Sequence, residues 1–115
     1  MNKNQTAQAL SETKDYIDSA INKIEQMNNA ISRLSSADIE QIYDLVVEDI
    51  DTAIHKIRKT PIGEEIIVKL AEIRTQINSI EKPGSMKNVA LIAKSEALQN
   101  LLEASAQIQR RLSLL

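Results

Sequence analysis

Residues 60–84, TPIGEEIIVKLAEIRTQINSIEKPG, decide the fold. Within them Ile66, Leu70, Ile73, Ile77 and Ile80 recur at steps of four, three, four and three. That rhythm puts the five aliphatic side chains on one face of an α-helix, and such a face must be buried against other helices. Both ends of the stretch are punctuated. Pro61 cannot continue a helix arriving from residue 59, because it has no N–H and its ring collides with the preceding turn. It suits the first position of a new helix, with Thr60 as N-cap and Glu64 and Glu65 near the positive end of the helix dipole. Lys82-Pro83-Gly84 ends the pattern. The reading is a helix over 61–82. The alternative is a Pro61 that only kinks one long helix, giving an elongated three-helix protein. Gly63, close behind Pro61, favours a true reversal.

Working outward, Leu10, Ile17, Ile24 and Ile31 recur every seven residues, with Ile21 and Leu34 beside them. This is a coiled-coil-like seam, and it predicts a first helix over about 6–34 starting near Thr6. Lys14 and Asn28 fall on its core side, where Lys14 can snorkel and Asn28 can fix register. Ser35 or Ser36 can cap a second helix over 37–59, which carries Ile39, Ile42, Tyr43, Val46, Ile50, Ala53, Ile54 and Ile57 on one face. Ser85 is the expected cap of a fourth helix over 85–114, striped by Leu98, Leu101, Ser105, Ile108, Leu112 and Leu115. Phe and Trp are absent and Tyr16 and Tyr43 are the only aromatics, so the core is Leu, Ile and Val. The expected architecture is all-α: one domain, residues 1–115, folded as an antiparallel up-down four-helix bundle.

Composition narrows the function classes. The 115 residues carry a net charge of −2 and no cysteine. Disulfide, thiol-redox and Cys–metal chemistry are excluded, and the basic face expected of a nucleic-acid binder is missing. No apolar run approaches the ~20 residues of a membrane span, so no membrane insertion is expected. The polar start has no secretory signal pattern, which fits a cytoplasmic protein and also signal-less bacterial export.

His55 is the single histidine. Asp44, Glu48, Asp51 and His55 share one ridge of the second helix, and Glu48/Asp51/His55 stand at chelating spacing for a metal. The ridge lies opposite the Ile39–Ile57 stripe, which is the ordinary place for a solvated charged face. His55 also resembles the phosphoacceptor of four-helix histidine phosphotransfer domains, which place Lys and Gly three and four residues on. Here Arg58 and Lys59 stand there. The stretch His55-Lys56-Ile57-Arg58-Lys59-Thr60-Pro61-Ile62 resembles the histidine-kinase H-box, with one extra residue before Thr60-Pro61. That residue turns the proline by about 100° around a helix. Glu12-x-x-Asp15 and Glu48-x-x-Asp51 resemble the magnesium pairs of helical nucleotide pyrophosphohydrolases, but both point away from their own apolar stripes. Secreted Trp-x-Gly hairpins would need Trp where Pro61 stands.

The expected function is non-enzymatic and cofactor-free: protein–protein interaction, as in a bacterial or phage-type adaptor, secretion-system component, chaperone or regulator. The first and fourth helices, read as about 30 residues each, outrun the middle two at the end where the chain termini meet. Apolar surface left without partner helices usually marks an interface. The expected contact residues are Leu10, Ile17, Ile108, Leu112, Leu114 and Leu115, joining a protein partner or a second copy in a homo-oligomer. Leu114 is the most telling, because it lies off the stripe carried by Leu112 and Leu115.

Overall fold

In the computed structural model, which describes residues 2–60, 63–79 and 96–115, the first helix starts four residues before Thr6 at its own cap. Asn2 accepts the Gln5 N–H at 2.9 Å, and the Gln5 side chain accepts the Asn2 N–H at 3.2 Å. This capping box satisfies two of the donors that every helix start leaves open. α1 then runs Lys3–Asn29, and Thr6 sits inside its first turns, its hydroxyl donating to the Asn2 carbonyl. The helix stops short of residue 34. Asn28 and Asn29 are weak helix formers, and after them the chain tightens into a 3-10 turn over Ile31–Arg33. Asn28 is exposed, so it does not sit in the seam.

Ser35 is the cap of the second helix, α2 (Ser36–Ile57). Its hydroxyl accepts the Asp38 N–H at 3.1 Å and its own N–H donates to the Asp38 carboxylate at 3.1 Å. The Ser35 N–H, followed by the hydroxyl, holds the Asp38 carboxyl below its usual range. At the other end, the expected role of Thr60 is corrected. Its N–H and hydroxyl both donate to the Ile57 carbonyl at 2.9 Å, so Thr60 closes α2 instead of opening the next helix. The third helix, α3 (Glu64–Ser79), starts at residue 64, not 61. Gly63 stands at its cap, with its carbonyl accepting the Ile67 N–H at 2.8 Å. Pro61 itself, the Lys82-Pro83-Gly84 break and the Ser85 cap lie outside the described residues. The last helix, α4, is described over Glu96–Ser113.

Side-chain pairs give the directions. Glu12 meets Lys56, and Lys23 meets Asp49, so α1 and α2 are antiparallel. Glu65 meets Arg111 at 3.1 Å, Lys69 meets Glu103 at 2.9 Å and Gln76 meets Asn100 at 3.2 Å, so α3 and α4 are antiparallel as well. Asp51 meets Arg74 at 2.7 Å between α2 and α3. In one kinked helix those residues would stand about 35 Å apart, so the three-helix alternative is excluded. The Ser105 hydroxyl donates to Asp18 at 2.6 Å and closes the ring between α4 and α1. The result is an up-down-up-down four-helix bundle measuring 47 × 22 × 19 Å.

Its core follows the stripes: Leu10, Ile17 and Ile24 from α1, Ile50 and Ile57 from α2, Ile66, Leu70, Ile73 and Ile77 from α3, Leu101 and Ile108 from α4. Tyr43 joins them with 2% of its surface exposed. That burial pushes its phenol up to about 12. An unfolded tyrosine loses its proton near ~10. Between those values the folded chain keeps a proton that the unfolded chain has lost. The stability from Tyr43 is therefore intact below about pH 10 and lost as the pH climbs towards 12. A Tyr16→Phe variant isolates the Tyr43 signal. Its phenolate absorbance is expected to appear together with loss of helical circular dichroism. Phenolate in a fully helical chain would contradict this.

Candidate functional site

Three surfaces carry the residues singled out by the sequence. The first is the outer ridge of α2. Asp44, Val47, Glu48, Asp51, Thr52 and His55 line a shallow depression of about 410 Å³ there. The ridge does not assemble as a chelate. The Asp51 carboxylate is turned to the Arg74 guanidinium, and the Thr52 hydroxyl donates to the carbonyl of Glu48 in its own helix at 2.9 Å. Among the described residues no three His, Cys, Asp or Glu side chains come together in a group that could hold a metal. Glu48, Asp51 and His55, the alternative metal set, stand on a convex helix face where side chains splay outward. His55 is exposed in the last turn of α2, with exposed Arg58 and Lys59 beside it. The other acidic pair faces elsewhere, because Glu12 meets Lys56 on the opposite flank of α2. The Gln8 amide, and then Lys56, hold the Glu12 carboxyl below its usual range.

The second surface is the terminal end. Of its six predicted contact residues, Leu10, Ile17 and Ile108 are fully buried in the core of the single chain. They have no surface to offer. Register explains the difference: Glu12 is level with Lys56 and Arg111 with Glu65, so Ile17 and Ile108 lie alongside the middle helices and Leu10 beside the turn between them. The last turn of α4 passes beyond α3, and the first turns of α1 pass beyond α2. Leu112 and Leu115 pack on the core from its edge, while Leu114 is 86% exposed. Arg110 and Glu64 are exposed nearby.

The third surface was not singled out by periodicity. Ile66, Ile67 and Val68 are consecutive, so apolar atoms point to three sides of α3 and only Ile66 enters the core. Val68 is 55% exposed. With Ile67, Ala71, Glu72, Thr75 and Gln76 it borders a depression of about 580 Å³. The sequence signal was available: three apolar residues in a row cannot all fit one stripe. A smaller apolar dimple of about 220 Å³ lies between α1 and α2, walled by Met27, Ala30, Leu34, Ile42 and Leu45. A polar cleft between α1 and α4 is spanned by Asp18, whose oxygens accept from Lys14 at 2.7 Å and from Ser105 at 2.6 Å.

No helix among the described residues is long and apolar enough to cross a membrane. Compared with known proteins, the chain matches no family model, and no curated protein or solved structure is significantly similar to it.

Proposed function

We propose that the protein is a non-enzymatic interaction module, of the adaptor, secretion-component, chaperone or regulator kind, that binds a second copy of itself through the terminal end of the bundle. The observation that carries this reading is Leu114, 86% exposed beside Leu112 and Leu115, which already rest on the core. An exposed leucine on a rigid apolar base is the usual anatomy of a contact centre. The rim favours a twofold partner of the same sequence. Arg110 lies one turn before Leu114, and Glu64 stands on the neighbouring helix. In a twofold interface each residue meets its counterpart's surroundings, so a rim holding both charge signs is self-complementary.

Sedimentation velocity over a wide concentration range tests the proposal. The wild type is expected to shift from monomer to dimer as concentration rises. Leu114→Asp is expected to remain monomeric with unchanged helicity and melting temperature. A wild type that stays monomeric at every concentration, or a Leu114→Asp variant that still dimerises, sinks the reading.

A further inference from the structure

Val68 and Leu114 are the two most exposed large apolar side chains among the described residues. Both turn to the outer side of the α3–α4 pair. Val68 is two residues from Ile66 and two from Leu70, which are both in the core, so it points away from the core. Glu65, one turn before it, reaches across to Arg111 of α4 at 3.1 Å, so Val68 borders the flank of α3 that meets α4. On α4, Glu103 faces Lys69 of α3 at 2.9 Å, and Leu114 lies three turns further along the same ridge. The Leu114 N–H donates to the Arg111 carbonyl at 3.2 Å, which keeps it in register with that ridge.

The two side chains lie on opposite sides of the Glu65–Arg111 bridge. Val68 is one turn from it along α3 and Leu114 one turn from it along α4, in opposite directions, so they stand about 9 Å apart along the bundle. With neighbouring helix axes about 8–10 Å apart, the full separation is roughly 13 Å. In a twofold contact, points equally far on either side of the axis meet each other's counterparts. An axis in the contact plane through the bridge therefore seats Val68 of each copy on Leu114 of the other. The charges permit the same operation. Glu65, Glu72 and Glu103 stand around the two apolar side chains, and so do Lys69, Arg110 and Arg111. A face holding both signs equally does not repel its own copy, and Glu65 and Arg111 can each reach the opposite charge across the axis.

We propose that the twofold contact pairs Val68 of each copy with Leu114 of the other, across the outer face of α3 and α4. This rests on the reading of the terminal end as a self-association surface, and it says what Leu114 meets there. A single leucine at a helix tip buries little against another tip. Val68 stands on the body of a helix, and the symmetry makes the contact twice. Apolar contact supplies the affinity, and the mixed charges around it set the orientation. The contact is small, so the dimer is expected to be reversible.

The chain has no cysteine, so single introduced thiols report the pairing directly. Val68→Cys and Leu114→Cys chains, mixed and exposed to a mild oxidant, are expected to link to one another faster than either variant links to itself. Like positions stand farther apart than the roughly 7 Å between Cα atoms that a disulfide spans. The three products differ in mass, and mass spectrometry separates them. Val68→Lys places a cation one turn from Glu64 and from Glu72, so it is expected to keep the wild-type melting curve. In sedimentation velocity it is expected to weaken the dimer by at least about tenfold. Preferential linking of Leu114→Cys to itself, or a Val68→Lys variant that dimerises like the wild type, overturns this pairing and leaves Leu114 as the contact of the terminal end. A wild type that is monomeric at every concentration overturns both.

Discussion

Leu10→Ala is expected to lower the stability of the bundle by about 2–5 kcal/mol, whereas Leu114→Ala is expected to change it by no more than about 0.5 kcal/mol. The two leucines belong to the same end of the molecule, one on the stripe of its helix and the other off it. Their surroundings are opposite. Leu10 has no exposed surface, and Leu114 keeps 86% of its own. Glu12 pairs with Lys56, so Leu10 is level with the last residues of α2 and the turn that Thr60 closes. Truncation there removes the transfer free energy of the lost methyl groups and leaves a cavity that the surrounding core fills only in part. At about 4 °C per kcal/mol, the melting temperature falls by roughly 10 °C or more. Thermal or urea unfolding followed by circular dichroism measures both variants. Equal effects from the two would mean that the terminal end is frayed, and that Leu10 is not core.

That contrast shows which parts of the molecule were legible in the chain. The seam of Leu10, Ile17 and Ile24 reads directly, because only burial explains a seven-residue aliphatic repeat. The cap at Ser35 reads as well, since Ser followed by Asp three residues on satisfies donors at both positions. Thr60 does not read uniquely. A hydroxyl at a helix junction can accept from the helix that follows or donate to the helix that precedes, and sequence spacing is the same for both. Here the free carbonyl of Ile57 takes it. The terminal end reads only in part: a surplus of helix length does not say which of its apolar residues the single chain already buries, and Leu10, Ile17 and Ile108 are buried whereas Leu114 is not. Glu12 is level with Lys56, so α1 runs on past the end of α2 towards Lys3, and the last turn of α4 runs past the start of α3.

The outer side of α3 was illegible for a third reason. Counting hits on a stripe registers Ile66 and passes over Ile67 and Val68, although Val68 is left 55% exposed. The Asp51–Arg74 pair, which orients the facing flanks of α2 and α3, joins residues from separate helices. No local spacing announces it.

Gly63→Ala is expected to destabilise the fold by about 1–2 kcal/mol, against the usual direction for this substitution. At a permissive site, replacing Gly by Ala stabilises by about 0.4–1 kcal/mol, because the unfolded chain loses freedom. Gly63 has no positive φ, so its backbone conformation is open to alanine. The obstacle is space. A Cβ built on Gly63 would stand 2.5 Å from the Ile57 carbonyl oxygen, 2.9 Å from the Thr60 hydroxyl and 3.1 Å from Ile57 Cγ1. The carbonyl cannot swing away, since it is the last turn of α2 and already accepts both the N–H and the hydroxyl of Thr60. Overpacking of this kind costs about 1–3 kcal/mol, which outweighs the entropic gain. Relief requires lifting the start of α3 off the end of α2, and that loosens Ile66 in the core and the Asp51–Arg74 pair beyond it. Urea unfolding gives the loss in stability, and native-state hydrogen exchange is expected to show protection falling first in α3. An alanine variant as stable as the wild type would mean that the reversal does not depend on this close approach of backbones.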